Sequence, residues 1–197
     1  MTLSTRARAS SKKLPKADRR TQLLDTALAI VREEGTDALT LGRVAERAGV
    51  SKPIAYNHFE TRAGLMTTLY RNILDRQLEI LAAAIEQTPR RLNDVATVIA
   101  QAYMECTFAV GPEWHALAAA LKGEAATELE QRKMIDSYVL FCATELSPLS
   151  ELPAEAVQRR CIGIIGAAEA LSDDMIRGGC SKEQAATDLT ALIVGCL

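Results

Sequence analysis

TLGRVAERAGVSKPIAYNHF, residues 40–59, reads as two short helices joined by a tight turn. Leu41, Val44, Ala45 and Ala48 recur at i, i+3, i+4 and i+7, the spacing of a helix with one apolar face, and Thr40 stands where an N-cap belongs. Gly49 supplies the positive φ that ends this helix after little more than two turns. Ser51 is placed to cap a second helix, which tolerates Pro53 in its first turn because that N–H has no partner inside the helix, and which runs to about His58. Ala45 is small where the two helices cross, and Val44, Ala48, Val50 and Ala55 make a miniature core. The expected unit is a helix-turn-helix, whose second helix lies in a DNA major groove. Ser51, Lys52, Tyr56, Asn57 and His58 then point outward: a cation, hydroxyls and an amide suited to phosphates and base edges.

The flanking sequence supports the same layout. Upstream, Leu24, Ala27, Leu28 and Val31 mark a helix from Ala17, with Gly35 placed for a left-handed cap. Residues 1–16 are polar and basic, a solvated tail or a DNA-touching arm. Downstream, Thr61 opens a long helix through Leu65, Met66, Leu69, Tyr70 and Ile73 toward Gln87, which would connect head and body. Helices are expected at about 91–110, 113–122, 125–146, 153–177 and 182–197, punctuated by glycine and proline. With few aromatics and much alanine and leucine, the chain is expected to be all-α, about nine helices, divided into an arm (1–16), a helix-turn-helix domain (17–62) and a second helical domain (63–197).

The overall charge of −2 hides an asymmetry. Residues 1–62 carry 12 Lys or Arg against 7 Asp or Glu, and residues 63–197 carry 11 against 18, so a head of +5 precedes a body of −7. A polyanion would therefore meet the head. Five cysteines (106, 142, 161, 180 and 196) have no metal-binding spacing and read as reduced, mostly buried thiols, so no metal or cofactor is expected. No apolar run of membrane length and no signal-peptide core occurs, which predicts a cytoplasmic protein. G-x-S-x-G, a Gly-rich phosphate loop and H-E-x-x-H are all missing, and two histidines leave few general bases, so an enzyme is not expected.

Ala45-x-x-Ala48-Gly49-Val50-Ser51, then Tyr56-x-His58-Phe59 and Thr61-Arg62-x-x-Leu65, resemble the TetR family of transcriptional regulators over residues 19–70. The resemblance implies that Thr40, Lys52, Pro53, Ile54, Tyr56, Asn57 and His58 face an operator, that Thr61 and Arg62 at the start of the fourth helix contact phosphate, and that Phe59 is core. Ile54-Ala55 stands where Thr-Leu is frequent, Asn57 where an aromatic is usual and Arg62 where Lys is frequent, which leaves the operator sequence open. Ile54 offers methyl contact, and Asn57 either reads adenine or, as its late position favours, binds phosphate.

One short recognition helix reads too few bases, so two-fold dimers on palindromic DNA are expected. The stripe Val157, Cys161, Ile164, Ala168, Leu171 and Met175, joined by Leu189 and Ile193 of the last helix, is the expected dimer interface; Gly163, Gly166, Ala167 and Ala170 form a second, small-residue side. Tyr103, Met104, Cys106, Phe108, Trp114, His115, Tyr138, Phe141 and Cys142 concentrate the scarce aromatics and form the expected effector pocket, with ordinary core as the competing reading. Glu169, inside the apolar run 162–171, is either a cation anchor or a solvated carboxylate. The function expected is a DNA-binding regulator, a repressor released by a small molecule; the alternative gives the second domain a protein partner.

Overall fold

The computed structural model describes residues 14–111, 113–122 and 125–197, with the backbone alone at 113, 114, 125 and 126. Most of the expected arm lies outside the described residues. Among those residues the protein is all-helical: α1 Lys16–Glu34, α2 Leu41–Arg47, α3 Lys52–Phe59, α4 Arg62–Glu86, α5 Leu92–Val110, α6 Glu113–Leu121, α7 Ala125–Leu146, α8 Ala154–Ile176 and α9 Lys182–Cys196. A 3-10 turn at Ser147–Leu149, which the sequence did not announce, follows α7. None of these helices is long and apolar enough to cross a membrane.

The chain divides into two compact units, Met1–Leu65 and Met66–Leu197. The first is built on α1, α2 and α3 around Leu23, Ala27, Ile30, Leu39, Val44, Ala45, Ala55, Phe59 and Leu65, all buried. Ala45 is fully buried, as the close helix crossing requires, whereas Ala48 and Val50 are half-buried at the turn. The Thr40 hydroxyl accepts from the Arg43 N–H at 3.1 Å and caps α2. Gly49 has φ +68°, the conformation the turn needs. Two caps differ from expectation. Ser51 occupies the N-cap of α3 in extended conformation, but its side chain makes no capping hydrogen bond. Gly35 has φ 82° with ψ 171°, so it uses the freedom of glycine without the left-handed helical cap; its N–H still reaches the Val31 carbonyl.

In the second unit α5 is the central helix. Val95, Ala96, Ile99, Ala100, Tyr103, Met104, Thr107 and Val110 are buried along it, two adjacent stripes that face neighbours on more than one side. It packs on α6, α7, α8 and α9. Leu81 and Ile85 of α4 join the same core, with Tyr138, Val139 and Cys142 of α7, Val157, Cys161 and Ile164 of α8, and Leu189 and Ile193 of α9.

Candidate DNA interface and inner cavity

On the first unit, Thr40, Ser51, Lys52, Pro53, Tyr56, Asn57 and Thr61 are exposed, Tyr56 to 50%. Thr40 and Lys52 belong to different elements yet both flank Gly42: a β-carbon there would lie 3.6 Å from Lys52 Cε and 4.0 Å from Thr40 Oγ1. The end of the lysine side chain therefore lies against Gly42 in the first turn of α2. Ile54 is half-buried.

Two expected contact residues are engaged within the first unit. His58 follows Ala55 by three residues, so its ring falls toward the core side of α3; it is half-buried, and its Nδ1 is buried with no hydrogen-bond partner. Burial first, then the positive charges of Arg20, Lys16 and Arg19, push its pKa below the usual imidazole range. The Arg62 guanidinium donates to the Leu39 carbonyl at 2.8 Å and the Thr36 carbonyl at 2.7 Å. It ties the approach to α2 onto the start of α4 while the residue stays exposed.

The sequence reading also missed the first turns of α1. Arg20 donates to the His58 carbonyl at 3.0 Å, satisfying one of the last carbonyls of α3, and its guanidinium carbon lies 5.2 Å from the centre of the Phe59 ring. Lys16, Arg19 and Arg20 thus stand within electrostatic reach of the end of α3. The signal is present in the sequence KADRR from Lys16, where Lys16 ends the expected basic arm and Arg19 and Arg20 fall in the expected first helix.

The junction after α3 is strained. Glu60 has φ 60° and ψ −53°, and the Thr61 N–H donates to the Phe59 carbonyl at 2.6 Å, the geometry of the rare γ-turn that side chains disfavour. Thr61 Oγ1 then accepts from the Gly64 N–H at 2.9 Å and caps α4. The Phe59 carbonyl fills the space where a β-carbon at Gly64 would stand.

In the second unit the expected pocket residues part company. Tyr103 and Tyr138 line a cavity of about 60 Å³ together with Tyr70, Gln77, Gln131 and Glu169, which sequence reasoning had not placed there. Met104 and Cys142 are buried in the core, Phe141 packs against that core, and Cys106 is half-buried. Phe108 is a correction: it is 59% exposed, with the Lys182 ammonium 5.2 Å from its ring centre. His115 lines an outer groove with Lys122, Glu169 and Asp173, and the Trp114 side chain lies outside the described residues.

The expected dimer stripe also needs correcting. Val157, Cys161, Ile164, Ala168 and Met175 of α8, with Leu189 and Ile193 of α9, are buried within the chain's own core, and Leu171 packs against it. The larger apolar side chains fill the interior because a single chain must bury them first. Gly163, Gly166 and Ala170 face outward instead, along with Ile162 at 60% exposure and, on α9, Leu192 at 43%.

The cysteines are free, two of them buried and three half-buried. Burial pushes the Cys106 and Cys161 thiols up to about 11, and it drives Cys142 up as well, ahead of the nearby Cys161 and Glu145. At pH 7.5 a thiol of that pKa is ionised to the extent of about 3 parts in 10,000. Iodoacetamide applied to the native protein at pH 7.5 should leave Cys106, Cys142 and Cys161 unmodified while all five react after unfolding. Mass-spectrometric detection of native labelling at Cys106 would reopen a redox role. Among the described residues no group of three His, Cys, Asp or Glu could hold a metal.

Residues 23–69 match the family model described as bacterial regulatory proteins, tetR family. The chain is 35% identical over 82 residues to the HTH-type transcriptional activator FasR of Mycolicibacterium smegmatis, covering 42% of this chain and 36% of that one. The matched stretches span 36% to 58% of the first curated relatives' lengths. A tetR-family transcriptional regulator from Streptomyces coelicolor superposes with a TM-score of 0.75 at 21% identity, over 93% of this chain and 82% of that one. The transcriptional regulator FadR of Bacillus subtilis, solved in complex with stearoyl-CoA, gives 0.74 at 13% identity, over 90% of this chain and 98% of that one. At these identities the structural likeness is one of fold.

Proposed function

Because the chain belongs, through its N-terminal domain, to the TetR family of bacterial regulatory proteins, we propose that it is a cytoplasmic, dimeric, sequence-specific transcriptional regulator, a repressor that a small molecule releases from a palindromic operator. The observation that carries this reading is the exposure of Thr40 at the α2 cap and of Lys52, Tyr56 and Asn57 on α3, with Lys52 reaching the first turn of α2 and the basic first turns of α1 near the end of α3. Phosphate contacts come from the cations and hydroxyls, while Tyr56 and Asn57 are placed for base edges or the backbone beside them. Dimerisation is supported by the outward Gly163, Gly166 and Ala170, which allow close helix approach, and by the exposed Ile162 and Leu192, which need cover. Sensing is supported by the partly open cavity among α4, α5, α6, α7 and α8. FasR is an activator by its name, so repression here rests on the simplest linkage: ligand and operator favour different states and lower each other's affinity. None of the chemistry on either unit requires catalysis.

The test is selection from a random duplex pool with the purified protein. The expected product is a two-fold symmetric sequence with half-sites about 34–36 Å apart or modestly more. Absence of enrichment, or enrichment of a single asymmetric site by a monomer, would overturn the reading.

A further inference from the structure

The exposed residues of α3 can read DNA only if α3 is held at a fixed angle, and the hold comes from another helix; this inference rests on the regulator reading above. We propose that Arg20 of α1 is a positioning residue for operator reading, a planar brace between the last turn of α3 and the core on which that turn sits.

The helix needs an outside hold. It is eight residues long, well short of the length at which a helix stands by itself in water. Its start has no side-chain cap, since Ser51 makes no capping hydrogen bond, and its end runs into Glu60 with its positive φ. The last four carbonyls of an α-helix lack partners inside it. Here the Tyr56 carbonyl accepts from the Glu60 N–H at 2.8 Å and the Phe59 carbonyl from the Thr61 N–H at 2.6 Å, both donors standing just beyond the helix. The His58 carbonyl accepts from Arg20, 38 residues away in sequence, at 3.0 Å.

Arg20 holds at two points at once. One guanidinium nitrogen serves the His58 carbonyl while the guanidinium carbon lies over the Phe59 ring, 5.2 Å from its centre, and that ring is buried at 4% exposure. A flat cation can donate in its plane and lay a face toward a ring, which the compact ammonium of a lysine cannot do together. Its charge also suits the negative end of the α3 dipole. Two residues further along α1, Gln22 donates to the carbonyl of Ala48, the C-cap of α2, at 3.4 Å. The first helix thus grips the ends of both helices of the helix-turn-helix, and their mutual angle is set there. Tyr56 and Asn57, both exposed, stand two and one residues before the braced carbonyl.

His58 reports on the brace in solution. Its Nδ1 is buried without a hydrogen-bond partner, and burial first, then Arg20 ahead of Lys16 and Arg19, holds its pKa below the usual imidazole range. All three cations belong to α1.

The test uses the full-length protein with Arg20→Gln and Arg20→Lys, on the selected palindrome and on a random duplex of equal length. Arg20→Gln should bind the palindrome about tenfold more weakly. Its affinity for the random duplex should stay within about twofold of the parent, and its salt-dependence slope should be unaltered. Arg20→Lys should recover at most about half of the loss on a logarithmic scale. Proton NMR of the His58 imidazole should show its pKa rising in Arg20→Gln and staying low in Arg20→Lys, with native-state exchange at amides of α1 and α2 at the parental level in both. Parental operator affinity in Arg20→Gln would overturn the proposal. So would equal losses on both duplexes with a slope lower by about 1 and full rescue by lysine, the pattern of a phosphate contact alone. Lost amide protection across α1 and α2 in both variants would make Arg20 a stability residue and overturn it as well. A parent protein that selects a palindrome, with Arg20→Gln its equal, keeps the regulator role and loses the brace; a parent that selects none loses both.

Discussion

Replacing Gly64 by Ala should destabilise the first unit by about 1–3 kcal/mol, the range of an overpacked site that cannot move aside. The cause is local and backbone-borne. A β-carbon at Gly64 would stand well inside contact distance of the Phe59 carbonyl oxygen. That oxygen is fixed from two sides, since Phe59 is buried and its carbonyl accepts from the Thr61 N–H across the γ-turn at Glu60. No side-chain rotation relieves the clash, so either the γ-turn or the start of α4 must shift. Both carry the end of α3. The neighbouring change has the opposite sign: Glu60→Gly should stabilise by about 0.4–1 kcal/mol, because glycine accepts φ 60° without the penalty that a side chain incurs there. Native-state hydrogen exchange at amides of α1 and α2 reads the stability of this unit directly. Equal protection in Gly64→Ala and the parent protein would mean that the junction has slack.

That junction marks where sequence reading stops. The helices were legible because glycine and proline punctuate them and because their apolar residues repeat at helical spacing; the Thr40 cap and the Gly49 turn follow from single residues whose local preferences are strong. Glu60 carries no such preference, so its positive φ could not be read. The family resemblance implied a phosphate contact for Arg62, but could not show that its guanidinium also holds carbonyls 23 and 26 residues upstream, which only the tertiary fold brings near. The α8 stripe was read correctly as buried and assigned to the wrong partner, since periodicity tells that a face is covered and not by what. The cavity was half legible. Scarce aromatics led to Tyr103 and Tyr138, and also to Phe108, which lies outside. The better signal was polar residues on apolar helices: Gln77 lies seven residues after Tyr70 on α4, and Gln131 seven before Tyr138 on α7. A two-turn spacing puts each pair on one face, and burial of Gln77 and Gln131 to 6% and 3% exposure is what the cavity explains.

Lys52→Ala and Tyr56→Ala should each weaken operator binding by about 1–3 kcal/mol, roughly five- to 150-fold, while leaving the fold and the dimer unchanged. The separation of binding from folding is the essential point. Both side chains are exposed, and neither contributes to the buried set around Ala45, Ala55 and Phe59. The two variants should differ in kind. Lys52 places an exposed ammonium against the first turn of α2, suited to a phosphate, so its loss should reduce affinity for specific and random DNA alike and lower the salt-dependence slope by about 1. Tyr56, half exposed in the middle of α3, offers a ring and a hydroxyl but no charge, so its loss should leave the slope unaltered and narrow the gap between specific and random sequences. Fluorescence anisotropy on the selected palindrome across a salt series distinguishes the two. If both variants bound with parental affinity and slope, α3 would not be the helix in the groove, and the basic turns of α1 at Lys16, Arg19 and Arg20 would be the surface to examine in its place.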